Sequence, residues 1–163
     1  MSDTATLPLW APIRRFVMST PKRTFVVYPL LVVLFEFIVY GQLSYTWTGL
    51  LFLIWGYAQY KMVGVYRHGI AKGGTGMSHG LPERLVKQGP YQYTRNPMYL
   101  GHLIFLFGLL ITTLSWLALA IFIGNLVWFQ QRVLQDEARL TKAFGDDFTD
   151  YKARVKRWIP YLF

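Results

Sequence analysis

The chain has 163 residues, with 53% hydrophobic, 18% aromatic and only 15% charged residues, and a net charge of +9. A soluble domain of this size carries roughly 25% charged residues, so a water-soluble globule is a poor fit, and one membrane domain over 1–163 is expected. Absence of cysteine excludes disulfides, zinc–thiolate sites and cysteine nucleophiles.

In chain order, 7–18 reads as an interfacial lead-in, with Trp10, Ile13, Phe16 and Val17 on the membrane and Arg14 and Arg15 at headgroups; a partly disordered tail is the alternative. A membrane-crossing helix needs about 20 apolar residues. The first span is expected at 25–43, with Pro29 and the single acid Glu36 inside it, and the second at 47–65, with Lys61 near its end. A short uncharged link makes these two a hairpin. An intramembrane acid is a functional candidate by default. Glu36 is read first as a protonated or hydrogen-bonded carboxyl facing Gln42, Gln59 or another helix, and second as a proton-coupled transport site.

The loop after the second span contains Gly73-Gly74-Thr75-Gly76. It lacks the Lys-Ser/Thr of a nucleotide-binding loop and reads as a connector or lid. His68 and His79 flank it without metal-ligand spacing, so no metal is expected. Gly89-Pro90-Tyr91 and Asn96-Pro97 then bend the chain twice, with Pro97 suited to a first helical turn and Asn96 to its N-cap.

The uncharged stretch from 99 to 131 is too long for one span, at about 50 Å. A hairpin turning near 112–116 divides it into spans at 99–113 and 115–131. His102 lies one turn into the third span, where a satisfied core histidine is the first reading and a catalytic role the second. Arg132 and Asp136 share a helix face by their spacing, and an arginine at the boundary suits a carboxylate or phosphate. The tail reads as an amphipathic helix carrying Leu140, Phe144, Phe148, Tyr151 and Val155. Lys and Arg fall on one side of every predicted span, which predicts an all-α, polytopic membrane protein. It has four transmembrane helices in two hairpins, a cytoplasmic loop, a C-terminal amphipathic helix and both termini cytoplasmic. Its compactness leans toward a bacterial inner membrane.

Across 81–160 the chain carries Leu85, Val86, Gly89, Pro90, Tyr91, Arg95, Asn96, Pro97, Tyr99 and Gly101, then Arg132, Asp136, Glu137, Phe144, Gly145, Tyr151, Arg157 and Pro160. This order and spacing resemble the isoprenylcysteine carboxyl methyltransferase and phospholipid N-methyltransferase group of integral-membrane enzymes. The resemblance implies an S-adenosylmethionine cofactor held by Glu83, Leu85, Val86, Tyr91, Asn96, Pro97, Met98, Tyr99, Asp136 and Glu137. It implies catalytic roles for Arg132, Glu137 and Asn96, and substrate contacts from Arg132 and His102. The acceptor it implies is a lipid or lipid-modified molecule, an isoprenoid-type carboxylate or a phospholipid amine, with no metal and no nucleic acid. Two departures stand out: Asn96 replaces the histidine of the isoprenylcysteine enzymes, and Asp136 is shorter than the usual glutamate. A four-span transporter built on Glu36, a membrane reductase of related fold and a non-catalytic scaffold are the competing readings.

Overall fold

The computed structural model describes residues 16, 18–71 and 82–159. The expected lead-in (Phe16 and Met18 apart), the glycine loop with His79, and Pro160 lie outside the described residues. Among the described residues the bundle is made by α1 (Thr20–Tyr40), α2 (Thr48–Ala71), α3 (Pro97–Thr113), α4 (Trp116–Phe144) and α5 (Asp146–Arg154). A 3-10 turn, Gly89–Gln92, precedes α3. Among the described residues there is no β-strand.

α1 opens with Pro21 in its first turn and then widens into a π-turn over Arg23–Val27, closed by Tyr28 N–H donating to the Arg23 carbonyl. Pro29 follows immediately and has no N–H to donate, the situation in which a helix commonly bulges or bends. Gly41, at φ 68°, ends the helix in the left-handed conformation that glycine adopts without a Cβ penalty. α1 buries Val32 and Glu36 but exposes Leu30, Leu34, Phe37 and Ile38. An apolar surface of this kind is suited to hydrocarbon rather than water.

α2 and α3 form the tightest pair. A Cβ on Gly56 would stand 2.4 Å from the Phe105 backbone nitrogen, and one on Gly108 2.6 Å from that of Leu53. The helices therefore meet backbone to backbone, as small residues allow in membrane bundles. Thr46 completes the far end: its N–H donates to the Thr112 carbonyl (2.8 Å) and its hydroxyl to that of Ile111 (2.7 Å). These satisfy carbonyls that a helix C-terminus otherwise leaves orphaned.

The turn between α3 and α4 is Leu114-Ser115, with Leu114 at φ 49°, inside the expected 112–116. The other boundaries differ. α2 runs on to Ala71 and α3 begins at Pro97, whereas spans were placed at 47–65 and 99–113. α4 does not stop near 131. Beyond Gly124, which the helix carries in its interior, no proline or glycine occurs until Gly145, so a charge at Arg132 changes its surroundings without ending its hydrogen bonding. Thr20–Tyr40 and Trp116–Phe144 are long and apolar enough to cross a membrane, and Pro97–Thr113 is a shorter apolar helix. α5 packs back on the bundle by burying Phe148 and Tyr151.

Candidate functional site

The polar residues gather at one end of the bundle, where the 87–96 segment, the lower half of α4 and the tail meet. Glu137, projecting from α4, is the hub. Its Oε1 accepts from Arg95 Nε (3.1 Å) and Nη2 (2.8 Å) and from Arg157 Nε (3.0 Å), while Oε2 accepts from Arg157 Nη2 (2.9 Å). Burial pushes the Glu137 carboxyl up, but the hydrogen bonds and charges of Arg157 and Arg95 outweigh it and hold it below the usual range. Charge-assisted forks of this kind are short and directional. Arg157 is correspondingly held in its charged form, chiefly by its hydrogen bond to Glu137.

Backbone bonds sew the same surfaces together. Arg95 Nη1 donates to the carbonyls of Lys152 (3.1 Å) and Val155 (2.5 Å), and Arg95 N–H to that of Lys156 (3.0 Å). The Arg157 carbonyl accepts from the Thr94 hydroxyl and from Asn96 Nδ2. The buried Tyr151 hydroxyl donates to the Tyr91 carbonyl (2.5 Å), Trp158 Nε1 donates to Gln130 Oε1 (2.7 Å), and Lys87 pairs with Asp147. Burial raises the Tyr151 phenol, so it stays a donor.

One helical step from Glu137, the carboxylate of Asp136 takes a different course. Its Oδ2 accepts from the Tyr99 hydroxyl at 2.9 Å, and no side chain among the described residues bonds to Oδ1. Burial raises the Asp136 carboxyl; the Tyr99 hydrogen bond and the charges of Arg132, Arg67 and Arg139 pull the other way without overcoming it. Arg132 lies beside both Tyr99 and Asp136 but forms no ion pair within 4.0 Å among the described residues. The intrahelical pair that the spacing suggests is thus left open. Arg67, near the end of α2, approaches the Tyr91 hydroxyl and Asp136.

The expected site residues divide accordingly. Tyr99, Asp136 and Arg132 come together. Val86 and Tyr91 are buried with Val63, and Met98 packs on them; Leu85 is half-buried and Glu83 exposed. Asn96 does occupy the N-cap position of α3, but its side chain makes no capping bond and donates to Arg157 instead. Pro97 takes the first helical position, and its carbonyl accepts from Gln59 Nε2 (3.0 Å). Glu137, expected to share the cofactor and catalytic work of Asp136, has both oxygens committed to two arginines; its geometry is that of a clamp. His102 is 2% exposed, stacked between Phe25 (4.8 Å) and Phe129 (5.4 Å), with Nδ1 unpartnered. Glu36 is 5% exposed and its Oε1 has no partner; Gln59 is engaged elsewhere. No cluster able to hold a metal ion occurs among the described residues.

The sequence reading missed the roles of Arg67, Gln59, Trp128 and Trp158. Arg67 carried one signal, a cation near the end of a predicted span, but it was read only for orientation.

Residues 42–147 match the family described as phospholipid methyltransferase. The chain is 32% identical over 80 residues to the protein-S-isoprenylcysteine O-methyltransferase of Schizosaccharomyces pombe, and 35% identical over 79 residues to that of Saccharomyces cerevisiae. Each alignment takes 48% of this chain, and it spans only 34% and 33% of those relatives' own lengths. The fold is similar to the solved structure of the eukaryotic intramembrane Ras methyltransferase, isoprenylcysteine carboxyl methyltransferase, with a TM-score of 0.63 and 22% identity. That match covers 92% of this chain and 56% of the other.

Proposed function

The chain belongs to the phospholipid methyltransferase family, and from that premise we propose that it is a membrane methyltransferase transferring a methyl group from S-adenosylmethionine to a lipidic acceptor. The observation that carries the reading is the 2.9 Å bond between Tyr99 and Asp136. It joins the turn motif before α3 to the acidic motif of α4 and leaves one carboxylate oxygen, with Arg132 alongside, for a ligand.

The donor set fits the cofactor. Asp136 Oδ1 suits an ammonium or ribose hydroxyl, and Val86, Tyr91 and Met98 offer an apolar wall. When bound, the cofactor supplies an electrophilic methyl group on a sulfonium. The protein contributes alignment and exclusion of water, and positioning alone can remove roughly 7–11 kcal/mol of barrier. A carboxylate acceptor attacks without a base. An amine acceptor must first lose a proton, and Asp136, its carboxyl raised by burial, is the group suited to accept it. Glu137 acts as a positioning residue, holding the tail and the 87–96 segment against α4, and Asn96 serves the same end through Arg157.

In this reading α1 to α4 are four membrane spans with both termini on the cytoplasmic side, following the one-sided Lys and Arg distribution. The acceptor is an isoprenylcysteine-like carboxylate or a phospholipid amine. The transporter reading of Glu36 gains no support from the family match.

The test is calorimetric titration of S-adenosylmethionine into the full chain in lipid nanodiscs, followed by labelled methyl transfer to membrane lipids and farnesylcysteine. Saturable binding weakened about tenfold or more by Asp136→Ala supports the reading. No binding to the folded wild type sinks it.

A further inference from the structure

Two guanidinium groups approach one indole at the inner edge of the site. Arg23 Cζ lies 5.0 Å from the Trp128 ring centroid and Arg132 Cζ 5.9 Å. Trp128 and Arg132 sit one turn apart on α4, while Arg23 arrives from the π-turn of α1. Among the described residues, neither arginine has a carboxylate within 4.0 Å. Arg23 Nε is shielded from solvent and has no hydrogen-bond partner among the described residues. The fully buried His102, in electrostatic reach of Arg23, is also left with an unpartnered ring nitrogen.

The contrast with the clamp is informative. Arg95 and Arg157 are neutralised by Glu137, whereas the two arginines at Trp128 share an aromatic face without a carboxylate. An enclosed, unbonded guanidinium nitrogen is costly, and cation–π contact with Trp128 offsets only part of that cost. Two cations drawn to one ring leave a net positive charge there that an anion would offset. A guanidinium fork matches the oxygens of a carboxylate or phosphate. Arg23 also lies outside the 42–147 stretch that defines the family match.

We infer that Arg23 and Arg132 together seat the oxyanion of the acceptor, a carboxylate or phosphate group, against Trp128. The word acceptor rests on the methyltransferase reading; the anion seat rests on the arginines. Arg132 faces the Tyr99–Asp136 pair, and Arg23 closes the seat from the α1 side, so an uncharged lipid of the same length lacks its anchor. The anion has two sources, the free carboxylate of a prenylated cysteine or the phosphate beside a lipid amine.

The experiment is competition binding to the full chain in nanodiscs without methyl donor. One arm pits N-acetyl-S-farnesylcysteine against its uncharged carboxamide, and the other phosphatidylethanolamine against diacylglycerol. A preference of about tenfold or more for the anion in either arm, erased by Arg23→Gln and partly kept by Arg23→Lys, supports the seat and names the source. S-adenosylmethionine affinity should stay within about twofold in Arg23→Gln. Equal binding of anion and neutral analogue in both arms, or a preference that survives Arg23→Gln in protein of unchanged melting temperature, overturns it. If the calorimetry fails while the Arg23-dependent preference holds, the methyltransferase reading falls and the seat stands.

Discussion

The α2–α3 pair and the α4–tail junction hold the molecule together by opposite means. The first is nearly free of charge and relies on missing atoms: glycines at 49, 56, 101 and 108 let two backbones touch. The second is dense with charge and relies on directional bonds from two distant segments, through Arg95 and Arg157, to one carboxylate, Glu137. In an apolar solvent, helices gain little from burying apolar side chains, so close packing must hold them. At the polar end, water competes for every hydrogen bond, and only a largely enclosed, multiply bonded hub outlasts it. The lesson is that the α2–α3 contact has no room for added atoms, while the junction depends on the charge at its hub.

The largest effect should come from breaking the first region. Gly56→Leu places side-chain atoms where Phe105 backbone already stands, an overpacking cost on the order of 3 kcal/mol or more. The expected outcome is loss of monodisperse protein in size-exclusion chromatography. Next, Glu137→Gln keeps the shape of the hub but leaves Arg95 and Arg157 without a counter-charge, about 2–3 kcal/mol. Here the helices should persist by circular dichroism while trypsin cuts the tail rapidly; an unchanged cleavage rate would refute the clamp.

Acid sharpens the same contrast. Glu137 is held below its ordinary carboxyl range by its arginines, so its contribution to stability is complete above the unfolded-state value of 4.5 and is lost as pH falls through the lower folded value. Hydrogen exchange across 146–158 should therefore rise below about pH 4.5 while α2 and α3 stay protected. Tyr151→Phe removes the only side-chain donor to the Tyr91 carbonyl among the described residues, at about 1–2 kcal/mol, read as a lower melting temperature. Smallest, Lys87→Ala deletes an ion pair whose aspartate is 56% exposed and should shift the melting temperature negligibly.

Apolar periodicity and length made much of this fold legible. The 99–131 stretch was too long for one crossing, and that alone located the Leu114-Ser115 turn. α4 runs on past the expected span end at 131, because Arg132 closes only the uncharged stretch; the stop signal for the helix is Gly145, whose φ of 53° suits glycine. That Arg132 and Asp136 share a helix face was legible from their spacing; that Tyr99 joins Asp136 was implied only by the family resemblance. The Glu137 hub was not legible: Arg95 lies 42 residues before it and Arg157 20 after, and nothing local announces such partners. Arg23 was counted only as an orienting charge, since a π-turn beside Pro29 leaves no periodic signature.

α3 has 17 residues, so it is about 25 Å long, several Å less than a hydrocarbon core of about 30 Å. In the proposed four-span reading, its polar start would therefore stand below the leaflet surface rather than above it. A lipid whose head must reach Tyr99 and Asp136 need not be hauled out of its leaflet. Each methylene lifted into water would cost about 0.8 kcal/mol, and a sunken threshold spares several of them. On the proposed function, the shortness of one helix thus sets how far a greasy acceptor must rise to be met.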